Sequence, residues 1–399
     1  IGASGSYWNL TAVPAWILVG LTLTVTMRKL RLSTVPGYLG EIYGIHTRRL
    51  IAILQIVEAI TFVAVQITVS RLALQTLFGM DALTAAALVT AVFVAYTAMG
   101  GLWAVVWTDI VQYVVLMSAV IIGLILALHK AGGMPGLHAA LPASHFSMAS
   151  LGVETPIAWF ALCVYSWGTD QAYMQRAFAA RDATTARTAY LFTAATYLVF
   201  GVCVAGIGMA AAALMPGLHD QNQAFPALIE RVVPVGLRGF FLTGILATTM
   251  STASAYLAAS SSVFVQDVYE PLLRSGLQGR HLLRTSRIAT IGLAAAAFVI
   301  ALYFPTIVNV VIFSTLVAPA AIFFPLLFAL YFKRTNRRAG FYAILSAAVA
   351  GVADQAWVAG HGGVIGAIDP LFFGPAIGLT VLLAATFATR PVAEPRHAV

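Results

Sequence analysis

The stretch "ATTMSTASAYLAASSSVF", residues 247–264, carries no charge, yet Thr248, Thr249, Ser251, Thr252, Ser254, Ser260, Ser261 and Ser262 give it eight hydroxyls in eighteen residues. Uncharged and largely apolar, it reads as part of a membrane-crossing helix. A hydroxyl inside such a helix usually bonds back to the carbonyl three or four residues earlier. That reading covers Ser254 and Ser260 to Ser262. Ser251 and Thr252 differ, because both lie one turn past Thr248. Their hydroxyls and the Thr248 carbonyl can gather at one level of the helix. Neutral oxygens converging at one depth suit a hard cation such as Na⁺. On spacing alone, back-bonding and ion binding both stand.

The rest of the chain sets the context. Its 399 residues are 60% hydrophobic and only 9% charged, with a mean hydropathy of +0.91. A soluble domain carries roughly 25% charged residues, so this chain cannot coat a water-facing surface. It reads as an all-α polytopic membrane protein, one integral domain over 1–399, with no charged linker. Segments of about 20 apolar residues recur eleven times, near 9–27, 50–77, 82–99, 104–128, 157–176, 187–214, 237–266, 286–304, 307–332, 340–358 and 370–389.

Lysine and arginine then give a direction. With the segment after the first helix placed inside, the inner loops hold Arg28, Lys29, Arg31, Arg48, Arg49, Arg176, Arg181, Arg187, Arg274, Arg280, Arg284, Arg287, Lys333, Arg334, Arg337, Arg338, Arg390 and Arg396. These are eighteen of the twenty-two basic residues. The expectation is an N-terminus outside, a C-terminus inside and insertion in the cell membrane. The net charge of +8 is thus a topology signal, not a nucleic-acid footprint. Cys163 and Cys203 sit in apolar segments and read as packing residues. All eight histidines fall in loops or at helix ends, which argues against a buried histidine relay. The outer loop around residues 225–233 reads as a short amphipathic surface helix. The first residue is Ile1 rather than Met, so the natural N-terminus is expected to lie upstream.

Further polar groups fall inside apolar segments. In "AYTAMGGLWAVVWTDIVQYVVLM", residues 95–117, Gly100-Gly101 is expected to break one helix, and Thr108 and Asp109 to cap the next or to line an ion path. In "YSWGTDQAYMQRAFAAR", residues 165–181, Asp170, Gln171, Gln175 and Arg176 read as a solvated helix end. Asp170 and Arg176 are too far apart in register to face each other. Glu58 lies nine residues past Arg49, roughly 13 Å into its helix. A carboxylate at that depth is costly unless paired, and its partner is not legible. Asp354 and Gln355 read as interfacial. Pro319 and Pro325 are expected to kink their helix.

Taken together, these stretches resemble the sodium/solute symporter family. "AYTAMGGLWAVVWTDIVQ" is similar to its central signature, and "LATTMSTASAYLAASSSVFVQDVY" to its second. "WGTDQAYMQRAFAAR" and "STVPGYLGEIYG" resemble two further motifs, and the four fall in order over residues 33–269. The resemblance implies a leucine-transporter-like fold of two inverted five-helix repeats around a midplane site. Here 9–128 would be the remainder of the first repeat, 157–332 the second, and 340–389 two C-terminal helices. The family's first two helices, one of them broken, are expected to be missing, which makes the fold N-terminally truncated.

By position, the resemblance implies Na⁺ as coupling ion, held by the Thr248 carbonyl and the Ser251 and Thr252 hydroxyls. Asp109 falls on the ion's exit path. Cys163, Ser166, Trp167 and Gln171 become the substrate-pocket candidates, with Phe160 and Tyr165 flanking. Sugar-carrying members have an Asn and an aromatic where Cys163 and Ser166 stand, which speaks against a sugar. The implied function is import of a small organic solute, an amino acid or a monocarboxylate, with the bilayer as surroundings and no enzymatic step. Two rivals come from other classes. "GASG" at Gly2–Gly5 and "GHGGVIG" at Gly360–Gly366 resemble the Ser and His motifs of intramembrane serine proteases, but they are about 350 residues apart and Ser4 is in a tail. A symporter-like membrane sensor would need a signalling module, which "RPVAEPRHAV" does not supply.

Overall fold

A computed structural model describes residues 2–30, 32–218, 223–273, 276, 278–303, 307–332, 336–361 and 370–388, with the backbone only at 100–104, 307–316, 359–361 and 370. Arg31, Arg274, Lys333, Arg334, Arg390 and Arg396 of the basic pattern lie outside the described residues, as does most of the Gly360–Gly366 motif.

All described regular structure is helical. The main helices are α1 (Ala12–Leu21), α2 (Leu23–Lys29), α3 (Val35–Tyr43), α4 (Ile45–Phe78), α5 (Ala82–Lys130), α6 (Glu154–Thr169) and α7 (Gln171–Ala179). After them come α8 (Ala183–Leu214), α9 (Ala224–Val232), α10 (Val235–Val263), α11 (Gly279–Tyr303), α12 (Ile307–Tyr331), α13 (Arg337–His361) and α14 (Pro370–Ala388). Among the described residues nine stretches are long and apolar enough to cross a membrane. The two other expected spans are the divided α6–α7 and α12, of which Val317–Tyr331 qualifies as a shorter apolar helix.

Local chemistry sets the boundaries. Asp81 accepts the Thr84 N–H at 2.9 Å to open α5, and Asp182 accepts the Thr185 N–H at 2.7 Å to open α8. These bonds hold both exposed carboxyls below the usual range. Thr34 caps α3 through the Gly37 N–H at 3.0 Å. Gly79, in the left-handed region at φ 65°, ends α4.

Three expectations change. The helical ladder runs through Gly100-Gly101, with two candidate spans, Ala82–Met99 and Val105–Lys130, inside α5. Thr108 and Asp109 therefore lie within a helix, not at an N-terminus, and the capping reading falls. The segment expected as one helix over 157–176 breaks at Asp170, whose extended backbone (φ −66°, ψ 127°) ends α6 and starts α7. Asp354, expected at the interface, is fully buried. The amphipathic helix stands as α9, with Pro226, Leu228 and Ile229 buried.

Helices in a bilayer gain little from hiding apolar surface from lipid and rely on close contact. At Gly20 an added Cβ would come within 2.6 Å of Tyr190 Cβ, so glycine lets α1 approach α8. Trp16 on α1 stacks on Trp167 of α6, with ring centres 4.2 Å apart and planes 15° apart, and meets Tyr190 edge-on. The basic loops predicted to share a face do meet: Arg28 donates to the Ala180 and Arg181 carbonyls at 2.7 and 3.1 Å. Arg287 donates to the Ala98 carbonyl at 3.0 Å on that arginine-rich side.

Candidate functional site

Helix α10 packs against both α4 and α5, so its hydroxyls face other helices, not only lipid. Thr252 Oγ1 donates to the Thr248 carbonyl at 3.1 Å, and the Thr248 hydroxyl donates back to Gly244 at 2.9 Å. Both threonines and Ser251 are half-buried. A hydroxyl that donates to a carbonyl keeps its lone pairs. The Thr248–Thr252 pair therefore offers two oxygens at one level. Ser251 faces the Asp109 carboxyl on α5. Asp109 Oδ2 accepts from Arg176 of α7 at 2.8 Å, while Oδ1 is buried without a donor. The chemistry of this set, neutral oxygens beside a carboxylate with a spare oxygen, fits a monovalent cation.

The remaining hydroxyls of the stretch divide differently. Ser254 bonds back to Ser251 at 3.0 Å and Ser260 to Tyr256 at 2.7 Å. Thr249 ties α10 to α4 by accepting from Ser70 at 2.7 Å. Ser261 leaves its own helix and donates to the Ser286 carbonyl of α11 at 2.9 Å.

A cavity of about 270 Å³ lies beside this region, lined by Trp8, Asn9, Phe62, Trp159, Leu162, Cys163, Ser166, Trp167, Tyr173, Tyr197 and Tyr256. Three of the pocket candidates, Cys163, Ser166 and Trp167, line it, and the Ser166 hydroxyl is buried without a partner. Gln171 does not line it. Its amide accepts from the Val35 N–H at 3.0 Å and donates to the Ser33 carbonyl at 3.1 Å, which clasps the turn before α3. Tyr165 packs instead on Phe323 of α12. Phe160 packs against the core cluster around α1 and α6.

Two polar groupings escape sequence reasoning. At the cavity edge Tyr256 donates to Asp170 Oδ2 at 2.5 Å. Its place one turn past Thr252 was a usable signal. On the arginine-rich side the helix continues past α10 as a π-helical turn, Phe264–Tyr269, and its fully buried Asp267 accepts from Arg48 at 2.7 Å and from Thr34 at 3.2 Å. The motif match contained Asp267 and gave it no role. Ser4, half of the protease reading, is fully buried, with its hydroxyl 2.5 Å from that of Ser150. The His361 side chain lies outside the described residues.

The model of the sodium:solute symporter family matches residues 1–346. The chain belongs to this family. The high-affinity proline transporter PutP of Bacillus subtilis is 28% identical over 327 residues, 75% of this chain and 69% of that protein. Sodium/glucose cotransporter 4 of Mus musculus is 24% identical across 88% of this chain and 58% of its own length. The Vibrio parahaemolyticus sodium/glucose cotransporter is 23% identical across 72% and 59%. The chain thus spans between about half and two thirds of its cotransporter relatives. A solved Na⁺-coupled sialic acid symporter, substrate-bound and outward-open, matches with a TM-score of 0.79 at 17% identity, covering 98% of this chain and 90% of that one. The nucleobase-cation-symport-1 family transporter MHP1 matches at 0.58 and 14% identity, covering 97% and 87%. The fold is therefore that of the leucine-transporter-like symporters, and the family and its structural neighbours are transporters.

Proposed function

We propose that the chain works as a sodium-coupled secondary symporter that imports a small organic solute by alternating access. The observation that carries this reading is the Thr248–Thr252 oxygen pair on α10, with the neighbouring Ser251 facing Asp109 of α5. In this reading Na⁺ is held by the Thr248 carbonyl and the Ser251 and Thr252 hydroxyls. Asp109, tethered by Arg176, lies on the route by which the ion leaves. The solute occupies the cavity bordered by Cys163, Ser166 and Trp167. Helices α1–α5 belong to the first repeat, α6–α12 form the second, and α13–α14 trail. The arginine-rich side faces the cytoplasm of a cell membrane, with the start of the chain outside. The membrane potential then adds about 2.3 kcal/mol per charge per 100 mV to the drive for uptake.

The relatives named for proline and sugars support a small polar solute. Cys163 and Ser166 in the cavity wall favour an amino acid or monocarboxylate over a sugar. The test is uptake of labelled proline, glucose, lactate and sialic acid into proteoliposomes, with and without an inward Na⁺ gradient. Accumulation of one solute only under the gradient is the expected result. Uptake indifferent to Na⁺ would remove the reading.

A further inference from the structure

Three residues of α4 lie on one face at helical spacing, Gln55, Glu58 and Phe62, and all meet the α6–α7 break or its neighbour on α10. Gln55 Nε2 donates to the Thr169 carbonyl at 2.8 Å, an oxygen the break leaves without a partner. Phe62 stacks on Tyr256 with ring centres 4.5 Å apart and planes 6° apart. Between them on α4, Glu58 lies within electrostatic reach of Asp170 and Tyr256. Glu58 is 2% exposed and its Oε1 has no hydrogen-bond partner.

Asp170 is well supplied with donors. Oδ2 accepts from Tyr256 and Oδ1 from the Ala172 N–H at 2.8 Å, at the N-terminus of α7. Both are bonds that an ionised carboxylate accepts. The other titratable or charged groups that reach the pair are Tyr173 and Arg176 on α7, Tyr190 on α8 and Tyr256 on α10. Arg176 is the one cation among them, and it is bonded to Asp109. Two buried carboxylates with no free counter-charge are not stable together within a membrane, so one must be neutralised. A metal ion would call for more oxygens than this. Among the described residues no cluster of three His, Cys, Asp or Glu side chains forms.

We propose that Glu58, Asp170 and Tyr256 form a proton-binding site at the α6–α7 break, separate from the hydroxyl cluster of α10, with Glu58 carrying the proton. Phe62 and Tyr256 line the cavity, so the proton sits directly behind its wall. Losing it places a second uncompensated charge at the break and loosens the hold of α4 on it.

The test needs no solute. Infrared spectra of the purified protein at neutral pH, without Na⁺, are compared in H₂O and D₂O. The expected wild-type spectrum holds a deuterium-sensitive protonated-carboxyl band that is lost in Glu58→Gln. The band survives at a shifted frequency in Glu58→Asp and is untouched in Glu41→Gln, which alters an exposed carboxyl. No such band in the wild type, or an unshifted one in Glu58→Asp, overturns the proposal even where Glu58→Gln fails to fold. Radioactive ²²Na⁺ binding separates the sources of charge. Equal stoichiometry in wild type and Glu58→Gln is expected, and loss of one Na⁺ per chain would reassign the site to sodium.

Discussion

Two regions beside α10 and the π-helical turn that continues it handle buried carboxylates in opposite ways. On the arginine-rich side Asp267, fully buried, is neutralised by Arg48 at 2.7 Å and further bonded by Thr34. At the cavity edge Asp170 and Glu58 are as deeply buried, yet Asp170 has a tyrosine for its nearest donor and Glu58 has no guanidinium at all. The first arrangement joins α3, α4 and the end of α10 by a permanent charge pair. The second leaves two carboxyl groups without a fixed counter-charge of their own.

Arg48→Ala should have the largest effect. It leaves Asp267 buried and unpaired, a loss of about 3 kcal/mol. That is the lower end for a broken buried pair, because Arg48 is 29% exposed. Unfolding in detergent measures it, and adding Asp267→Ala should restore part of the loss. A double variant no better than the single would mean the pair is not what holds this end.

Next comes Tyr256→Phe, which removes a bond to a charged acceptor, about 2 kcal/mol. The same unfolding assay applies, and an unchanged midpoint would show that Asp170 does not depend on Tyr256. Third is the Ser251→Ala/Thr252→Ala pair. The Na⁺ concentration for half-maximal ²²Na⁺ binding should rise on the order of tenfold, equivalent to about 1.4 kcal/mol, with folding little altered. Unchanged binding moves the ion elsewhere. The smallest effect is expected for Ser260→Ala, whose hydroxyl bonds back within its own helix, to the Tyr256 and Leu257 carbonyls. It should stay within about 0.5 kcal/mol of wild type, and a larger loss would give that hydroxyl a role outside its helix.

The all-helical membrane class and the family were legible because each is written locally, in apolar runs and contiguous motifs. The threonine pair on α10 was legible for the same reason, since Thr248 and Thr252 are one turn apart. What stayed hidden was long-range. Asp109 meets Arg176, 67 positions on, and Glu58 comes within electrostatic reach of Asp170 at a helix break that a smooth hydropathy profile passes over. Gln171 shows the reverse error. The motif marked it for the cavity, whereas its amide serves backbone groups at Ser33 and Val35. Gly100-Gly101 misled in the same direction, because glycine permits a break without requiring one.

The stack of Trp16 on Trp167 has an optical consequence. Two indoles with centres 4.2 Å apart and nearly parallel planes share their excited state, so their ultraviolet absorption and emission depend steeply on the spacing between α1 and α6. Trp167 also lines the cavity. The chain thus carries an intrinsic chromophore pair across two of its helices, one of which borders the space a solute would fill. Any sliding of α6 past α1 registers as a spectral change with no dye attached.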